Sequence, residues 1–302
     1  MRKLLLFLSG QQGLRRWVET SRLAARMARR FVAGNTLEDA LETGRRINGQ
    51  GLLVTFDHLG ENVTSLDEAA ASREVYLELL NEISRHGLRA NVSIKLTQFG
   101  MDLSEAACRD NVEQLVRRAA DLGSFVRIDM ESSQYTARTL ALATDLHAQY
   151  GSVGTVIQSY LHRSREDVER LSELRIRVRL CKGAYLEPPG VAFQRKAEVD
   201  RNFVDLMQIL LTRGVYPAIA THDERMIDAT REYAAKHGVP RGGFEFQMLY
   251  GIRRDLQRKL VAEGYLVRLY VPFGRAWYPY FMRRLAERPA NVVFLVRNLF
   301  HR

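Results

Sequence analysis

Apolar and polar positions follow two different periodicities along this chain. Eight short apolar runs, rich in β-branched residues, are separated by longer segments whose apolar positions recur at helical spacing. The runs span residues 51–57, 90–96, 125–130, 154–160, 175–181, 215–221, 244–249 and 265–271. Short apolar runs of this kind are typical of strands buried on both faces of a parallel sheet. The pattern therefore predicts eight β-α units.

Two α/β architectures accommodate eight strands that alternate with helices. One is a closed (β/α)8 barrel, the TIM barrel, and the other is a doubly wound open sheet. The even spacing of the runs favours the closed barrel. About 50 residues precede the first run, which indicates one or more extra N-terminal helices outside the barrel.

The longer segments carry the residue types that begin and end helices. Segment 104–123 starts with Ser104, a side chain that commonly caps a helix N-terminus, and Ser65 or Asp67 can serve segment 66–87 in the same way. Gly87 and Gly123 stand where glycine usually terminates a helix. These signals support a helical assignment for both segments.

Composition is consistent with one large domain. The chain has 302 residues, of which 46% are hydrophobic, and it contains no fixed-period repeat and no Gly/Ser-rich linker. We expect a single domain over residues 1–302, with a helical extension over 1–50 and a barrel with a C-terminal helix over 51–302. The apolar tail at residues 290–300 has no predicted place in this scheme.

The net charge of +10 suits an acidic partner such as nucleic acid, an anionic membrane or a phosphorylated cofactor. Residues 1–50 hold ten Lys and Arg against four Asp and Glu, so more than half of the excess lies there. No zinc-finger or RNA-binding motif accompanies these cations, and we therefore expect no nucleic-acid partner. A solvated helical face and a face that contacts a membrane or a partner both remain open.

Cysteine usage and hydropathy indicate a cytoplasmic protein. The two cysteines, Cys108 and Cys181, form no disulfide framework or metal-ligand pattern. The apolar run near the N-terminus is too short for a signal peptide, and no segment is long and apolar enough to span a bilayer. At most we expect peripheral contact with the inner face of a membrane.

Polar side chains cluster at the C-terminal ends of the predicted strands, where the active sites of closed barrels lie. Solvated loop positions are the alternative explanation for each of them. The set comprises Asp57, His58, Lys95, Asp129, Glu131, Gln158, Tyr160, Arg179, Lys182, Thr221, His222, Asp223, Glu245, Gln247 and Tyr270.

Some of these charges lie within apolar runs and are costly to bury without a partner. Lys95 stands between Ile94 and Leu96, and it could pair with Asp129 across adjacent strands, which would be a purely structural explanation. Arg179 shares a strand face with Arg175 and Arg177 by the period of two. An anionic or carbonyl-rich partner is therefore expected for Arg179.

The stretch YPYFMRRLAERP, residues 278–289, predicts a helix with a cationic face. Tyr280, Arg283 and Arg284 share that face, and Glu287 lies close enough to orient one guanidinium. Two adjacent arginines can hold a carboxylate, with Tyr270 and Tyr280 as aromatic walls. A solvated basic helix is the alternative. The sequence has no GxGxxG, P-loop, HExxH or GxSxG motif, which argues against a Rossmann fold, a metal site and a serine nucleophile.

Several motifs together resemble the proline dehydrogenase family. They are SIKLTQ, RIDME, VIQSYLHR, RLCKGAYLEP, ATHD, EFQMLYG, YVPFG and YPYFMRRLAERPANV, in family order from about residue 50 onward. The resemblance is to short, monofunctional bacterial members. It implies a distorted (β/α)8 barrel that binds FAD noncovalently and oxidises L-proline to Δ1-pyrroline-5-carboxylate by hydride transfer to flavin N5.

The resemblance also implies roles for individual residues. The proline carboxylate would be held by Lys95, Arg283 and Arg284, and the ring would be enclosed by Tyr270, Tyr280 and Leu249. Asp129 and Arg179 would lie in the active site, with Arg179 near flavin N5. Contacts to FAD are implied for Arg179, Met130, Gln158, Lys182, Gly183, Ala184, Thr221 and His222. The chain departs from bifunctional members at Asp223, where those carry asparagine.

Partners follow from the same resemblance. The expected electron acceptor is a membrane quinone, and the product would pass to a separate pyrroline-5-carboxylate dehydrogenase. The basic N-terminal segment could then contact an anionic membrane. Two other functions stay open: a barrel lyase that forms a Schiff base through Lys95 or Lys182, and a non-catalytic module that binds through its basic face.

Overall fold

Eight parallel strands form a closed barrel in chain order in the computed structural model, which describes residues 28–287 and the side chains of residues 28–282. Strand β1 pairs with β8, and Thr55 lies opposite Tyr270 at this seam. The predicted (β/α)8 architecture is therefore confirmed. The strands are β1 Leu53–His58, β2 Ala90–Ile94, β3 Val126–Ile128, β4 Val153–Gln158, β5 Arg177–Cys181, β6 Ala218–Ala220, β7 Glu245–Leu249 and β8 Leu266–Phe273.

Helices surround the barrel and alternate with its strands. Helix α1 precedes β1, and a short 3-10 helix, Leu96–Phe99, follows β2. The α-helices of the described chain are α1 Leu37–Asn48, α2 Leu66–Arg85, α3 Glu105–Asp121, α4 Ser133–Tyr150, α5 Ser164–Glu173, α6 Lys196–Arg213, α7 Glu224–Lys236, α8 Arg254–Ala262 and α9 Trp277–Glu287.

The predicted N-terminal caps of α2 and α3 are confirmed by their hydrogen bonds. The Ser65 hydroxyl accepts from the backbone N–H of Glu68 at 3.2 Å, so Ser65 rather than Asp67 caps α2. Ser104 caps α3 through the N–H of Ala107 at 3.3 Å. Such caps satisfy backbone donors that the helix itself leaves unpaired.

The hydrophobic core lies between the barrel and the helices. Outward-facing strand residues such as Phe56, Ile94 and Phe246 are buried in one continuous cluster with helix residues such as Leu79 and Val112. Because successive strand residues point to opposite faces, the alternate positions point into the barrel. Those positions are mainly polar, whereas TIM-barrel interiors are usually filled by branched apolar side chains.

The lower layer of the barrel interior, defined here as Asn91, Arg127, Glu245 and Arg268, consists of buried charged and polar side chains. Arg268 donates to both carboxylate oxygens of Glu245, at 2.7 and 3.0 Å, and to the side-chain oxygen of Asn91 at 3.0 Å. Arg127 is 1% exposed and donates to two backbone carbonyls at 2.9 and 3.0 Å. This network closes the barrel below the strand ends.

Arg175 does not share the strand face that the sequence predicts. Strand β5 begins at Arg177, and Arg175 precedes it as an exposed residue with a φ of 60°. The chain turns there because α5 has just ended at Glu173. The prediction of a common face is therefore wrong for Arg175 and holds only for Arg177 and Arg179.

Residues that precede α1 pack against α9, the helix that follows the last strand. Ala28, Phe31 and Val32 form a second buried apolar cluster with residues of α9, among them Trp277 and Tyr280. The basic segment 1–27 and the tail 290–300 lie outside the described residues, and the division into extension and barrel stays a prediction. Within residues 28–287, no helix combines the length and apolarity needed to cross a bilayer.

Candidate active site

A cavity of about 550 Å³ opens at the C-terminal ends of the strands. Its size is in the range of small-molecule and cofactor sites. Residues of β2 to β8 and of the loops that follow them line it: Lys95, Asp129, Met130, Val156, Gln158, Arg179, Cys181, Lys182, Gly183, Ala184, Tyr185, Ala220, Thr221, His222, Asp223, Gln247, Met248, Leu249 and Tyr270.

Lys95 presents a buried ammonium group at the floor of this cavity. It follows β2 directly and is 8% exposed. Its Nζ lies 3.1 and 3.2 Å from the carboxylate oxygens of Asp57, 3.4 Å from Glu61 and 3.3 Å from the hydroxyl of Tyr270. The predicted partner Asp129 lies farther away, at 4.0 Å. Asp57 on the other neighbouring strand is thus the closer counterion.

The acidic surroundings keep Lys95 charged. Burial by itself would lower the pKa of this amine, but Asp57 and the other acidic groups raise the pKa well above its ordinary value. A Schiff-base lysine requires the opposite shift, toward the neutral amine. The electrostatics therefore favour a role in which Lys95 holds an anion.

Asp129 is the centre of a second set of contacts. Its Oδ1 accepts from Ser93 and from Arg179, both at 2.6 Å, and its Oδ2 accepts from the Tyr270 hydroxyl at 2.8 Å. All three partners donate to the carboxylate, and the Arg179 guanidinium forms an ion pair with it. The expected anionic partner of Arg179 is therefore Asp129.

The Arg179 guanidinium is fixed in both position and orientation. In addition to Asp129, its Nε donates to the side-chain oxygen of Gln247 at 2.5 Å, and its central carbon lies 5.3 Å from the centre of the Tyr270 ring. Burial, reinforced by Asp129 and Asp57, raises the pKa of Tyr270 well above its ordinary value, so its phenol stays protonated. We call Lys95, Asp129, Arg179, Gln247 and Tyr270 the upper layer.

The wall of the cavity opposite Lys95 carries a second ammonium group, Lys182, which is paired with two carboxylates. The Lys182 ammonium lies 2.5 Å from Asp200 and 2.8 Å from Asp223. Asp223 also caps α7, and ion pairing with Lys182 and Arg225 outweighs burial and lowers its pKa below the ordinary range. The Nε2 of His222 accepts from the backbone N–H of Leu249 at 3.0 Å, which fixes this ring nitrogen as unprotonated.

Two features make this wall suitable for a flat, polar ligand. Gln158 donates to the carbonyls of Met130 and Glu131, at 3.4 and 3.3 Å, while its side-chain oxygen is buried without a partner among the described residues. Gly183 has a φ of 104°, and an added Cβ would come within 2.4 Å of the Tyr160 ring. Because any side chain at position 183 would collide with Tyr160, glycine leaves the backbone of this wall uncovered.

Comparison with known proteins identifies the family. Residues 40–297 match the family model described as Proline dehydrogenase. The chain belongs to the proline dehydrogenase family. Proline dehydrogenase 1 of Bacillus subtilis is 41% identical over 301 residues, covering 99% of each chain. Proline dehydrogenase of Deinococcus radiodurans is also 41% identical, over 278 residues and 90% of each chain.

A solved structure of a larger protein shows the same fold. The crystal structure of proline utilization A from Bdellovibrio bacteriovorus, inactivated by N-propargylglycine, matches with a TM-score of 0.82 at 29% identity. The match covers 92% of this chain and 34% of that protein, so this chain spans about a third of its length.

The structure brings most of the site residues expected for a proline dehydrogenase together around the cavity. Tyr280 is 5% exposed and belongs to the apolar cluster of α9, and the described lining of the cavity does not include it. The side chains of Arg283 and Arg284 lie outside the described part of the chain. The residues brought together are Lys95, Asp129, Met130, Gln158, Arg179, Lys182, Gly183, Ala184, Thr221, His222, Leu249 and Tyr270.

Sequence reasoning gave no role to three residues that hold Lys95, Asp129 and Arg179 in place. Asp57 is the nearest counterion of Lys95, Ser93 donates to Asp129, and Gln247 accepts from Arg179. Ser93 lies two residues before Lys95, so the period of two could have placed it on the same interior face. No group of three or more His, Cys, Asp or Glu residues suited to a metal occurs within residues 28–287.

Proposed function

We propose that this protein is an FAD-dependent proline dehydrogenase that oxidises L-proline to Δ1-pyrroline-5-carboxylate. Its family membership and its relatives named proline dehydrogenase support this reading. The observation that carries it is the upper layer. A fixed cation at Lys95 and a fixed Asp129–Arg179 pair line one cavity, and Lys95 and Asp129 both contact the hydroxyl of Tyr270.

The substrate is a zwitterion, and the cavity offers charges of both signs. Lys95 would take the substrate carboxylate, assisted by Arg283 and Arg284 of α9 as the family resemblance implies. Tyr270 and Leu249 line the same cavity and would enclose the pyrrolidine ring, with Tyr280 as a further wall. Contacts to both the carboxylate and the ring fix the orientation of the reacting carbon before any bond breaks.

The opposite wall would hold the cofactor. When bound, FAD would accept a hydride at flavin N5 from the substrate carbon next to the nitrogen. Arg179 offers a fixed positive charge that would stabilise negative charge on the reduced ring. Lys182 would supply a charge for the phosphate groups. The remaining contacts would come from Met130, Gln158, Gly183, Ala184, Thr221 and His222.

We further propose that the electrons pass to a membrane quinone and that a separate pyrroline-5-carboxylate dehydrogenase consumes the product. The enzyme would then work in the cytoplasm and visit the inner face of the membrane. Cationic residues in segment 1–27 suit contact with anionic lipid. Co-sedimentation with anionic vesicles should weaken when Arg15, Arg16, Arg22 and Arg26 are changed to glutamine, and equal binding would remove this membrane contact.

The test of the main proposal is a visible absorption spectrum of the purified protein, recorded before and after anaerobic addition of L-proline. Flavin bands that bleach with L-proline and not with D-proline are the expected result. Bands that persist with both would leave the cofactor site intact and reject the substrate. A colourless protein that cannot be reconstituted with FAD would reject the proposal as a whole.

A further inference from the structure

A second cavity lies on the outer side of the barrel, between α1 and α8. Its volume is about 490 Å³, and it shares no lining residue with the active-site cavity among the described residues. Its floor is apolar and consists of Ile47, Leu52 and Leu269, each of which is at most 3% exposed. Leu269 and Tyr270 are neighbours in β8 that point to opposite faces, so the two cavities lie on opposite sides of the same strand.

The walls of this outer cavity carry three guanidinium groups. Arg46 comes from the last turn of α1, and Arg254 and Arg258 lie one turn apart on the same face of α8. The Arg46 guanidinium donates to the hydroxyl of Tyr250 at 2.8 Å, and Tyr250 is 7% exposed. A buried tyrosine thus fixes Arg46 against the cavity.

Carboxylates that could neutralise these cations are engaged elsewhere. The described lining contains no Asp or Glu, and the described residues place no carboxylate within 4.0 Å of Arg46, Arg254 or Arg258. Adjacent arginines are paired: Arg45 with Glu38 at 3.2 Å, and Arg253 with Glu224 at 2.6 Å and Asp255 at 3.0 Å. The local acids therefore neutralise the arginines that point away from the cavity.

All three arginines are exposed, so solvent screens their mutual repulsion, but together they create a positive potential that favours an anion with several oxygens. Guanidinium groups bind phosphate oxygens in a bidentate fashion, which a single ammonium group cannot do. The side chains of Gln50 and Gln257 also line the cavity, and the apolar floor can accept a hydrocarbon part of the ligand.

We propose that this outer cavity is a binding site for a phosphate-bearing ligand, and that Arg46, Arg254 and Arg258 hold the phosphate. The same chemistry is offered by a free phosphorylated metabolite and by the headgroup of an anionic lipid. The proposal stands on its own geometry and is independent of the reaction at the barrel mouth.

The test compares two triple variants of the full-length protein, with FAD present at saturation so that the phosphate subsite of the barrel mouth is occupied. The first is Arg46→Gln/Arg254→Gln/Arg258→Gln. The second is Arg45→Gln/Arg85→Gln/Arg165→Gln, a control that removes the same charge from exposed arginines paired with Glu38, Glu82 and Glu169. Binding of inorganic pyrophosphate is measured by calorimetry. Binding of phosphatidylglycerol vesicles is measured by co-sedimentation, with Arg15, Arg16, Arg22 and Arg26 also changed to glutamine in every protein compared, so that segment 1–27 does not contribute.

The wild type and the control should bind at least one probe, and the cavity variant should lose roughly tenfold or more in affinity. Binding of pyrophosphate alone would indicate a soluble phosphate ligand, and binding of vesicles alone would indicate a lipid headgroup. Tyr250→Phe should cause a smaller loss, since it only releases Arg46. Absence of binding to both probes, or equal loss in the control, would overturn the proposal.

Discussion

The lower and upper layers of the barrel interior are built from the same kinds of side chain but differ in what they leave open. In the lower layer, Arg268 and Glu245 pair with each other away from the cavity, and Arg127 donates to backbone carbonyls. Gln247 of the upper layer also donates to Glu245. In the upper layer, Lys95 and Arg179 are also paired, yet both line a cavity.

This difference separates a structural charge from a functional one. A buried ion pair with no access to a ligand can contribute only to stability and to the specificity of the fold. A paired charge that faces a cavity can exchange or share its partner with a ligand at little further desolvation cost. Burial of a charged residue is therefore a weak indication of a site, and burial beside an accessible cavity is a strong one.

In the lower layer, Glu245→Gln should have the largest effect, because the charge there is structural. This change leaves Arg268 buried without its carboxylate, and loss of one partner of a buried pair costs about 3–5 kcal/mol. Chemical denaturation should show that loss in the free energy of unfolding. The control Glu38→Gln, on an exposed pair with Arg45, should leave the unfolding midpoint nearly unchanged.

The effect of Glu245→Gln should also depend on pH. Burial opposes ionisation, but pairing with Arg268 lowers the pKa of Glu245 below its ordinary 4.5. A lowered carboxylate pKa stabilises the fold above pH 4.5, and that contribution is lost as the pH falls through the folded-state value. The difference in unfolding free energy between wild type and variant should therefore become smaller as the pH falls. A difference that grows would contradict the ionic explanation.

In the upper layer, Asp129→Asn should damage activity far more than stability. The variant keeps the shape of the side chain but removes the charge that orients Arg179 and Tyr270, and we expect turnover of L-proline to fall by roughly 100-fold or more. The unfolding free energy should fall less than in Glu245→Gln, because water in the cavity can solvate Arg179. A larger loss of stability in Asp129→Asn than in Glu245→Gln would contradict the assignment of a structural role to the lower layer and a functional role to the upper layer.

Asp57→Asn should produce a smaller, selective effect. It removes the nearest counterion of Lys95 while leaving the ammonium group in place. A less restrained Lys95 should raise KM for proline by about tenfold, equivalent to about 1.4 kcal/mol, with little change in kcat. Steady-state kinetics test this split. A fall in kcat at constant KM would show that Asp57 acts on the chemical step instead.

The smallest expected effect concerns Cys181, which lines the cavity beside the upper layer. Burial outweighs the nearby Arg179 charge and raises the pKa of this thiol to about 11. Only about 0.1% of it is then thiolate at pH 8, so its reaction with a disulfide reagent should be slow and should accelerate about tenfold per pH unit. Cys181→Ser identifies the signal, and fast labelling at pH 8 would contradict this environment.

The local sequence pattern was sufficient to predict the barrel, but not to predict which side chains pair with each other inside it. The eight runs and the cap at Ser104 follow from spacing within single elements, and the motif around Lys95 pointed to a site. The pairing of Lys95 with Asp57, 38 residues away, depends on which strands become neighbours and on their register. The Arg46–Tyr250 contact spans 204 residues and leaves no local signal.

The seam between β1 and β8 has a consequence for the order of folding. Arg268 donates to the backbone carbonyl of Val54 at 2.8 Å, across 214 residues of chain. The charged interior cannot be satisfied until the last strand meets the first, and such distant closure is slow because it fixes a long loop. We therefore expect chains that stop before β8 to remain open and aggregation-prone, and the final strand to act as the cooperative step that completes the fold.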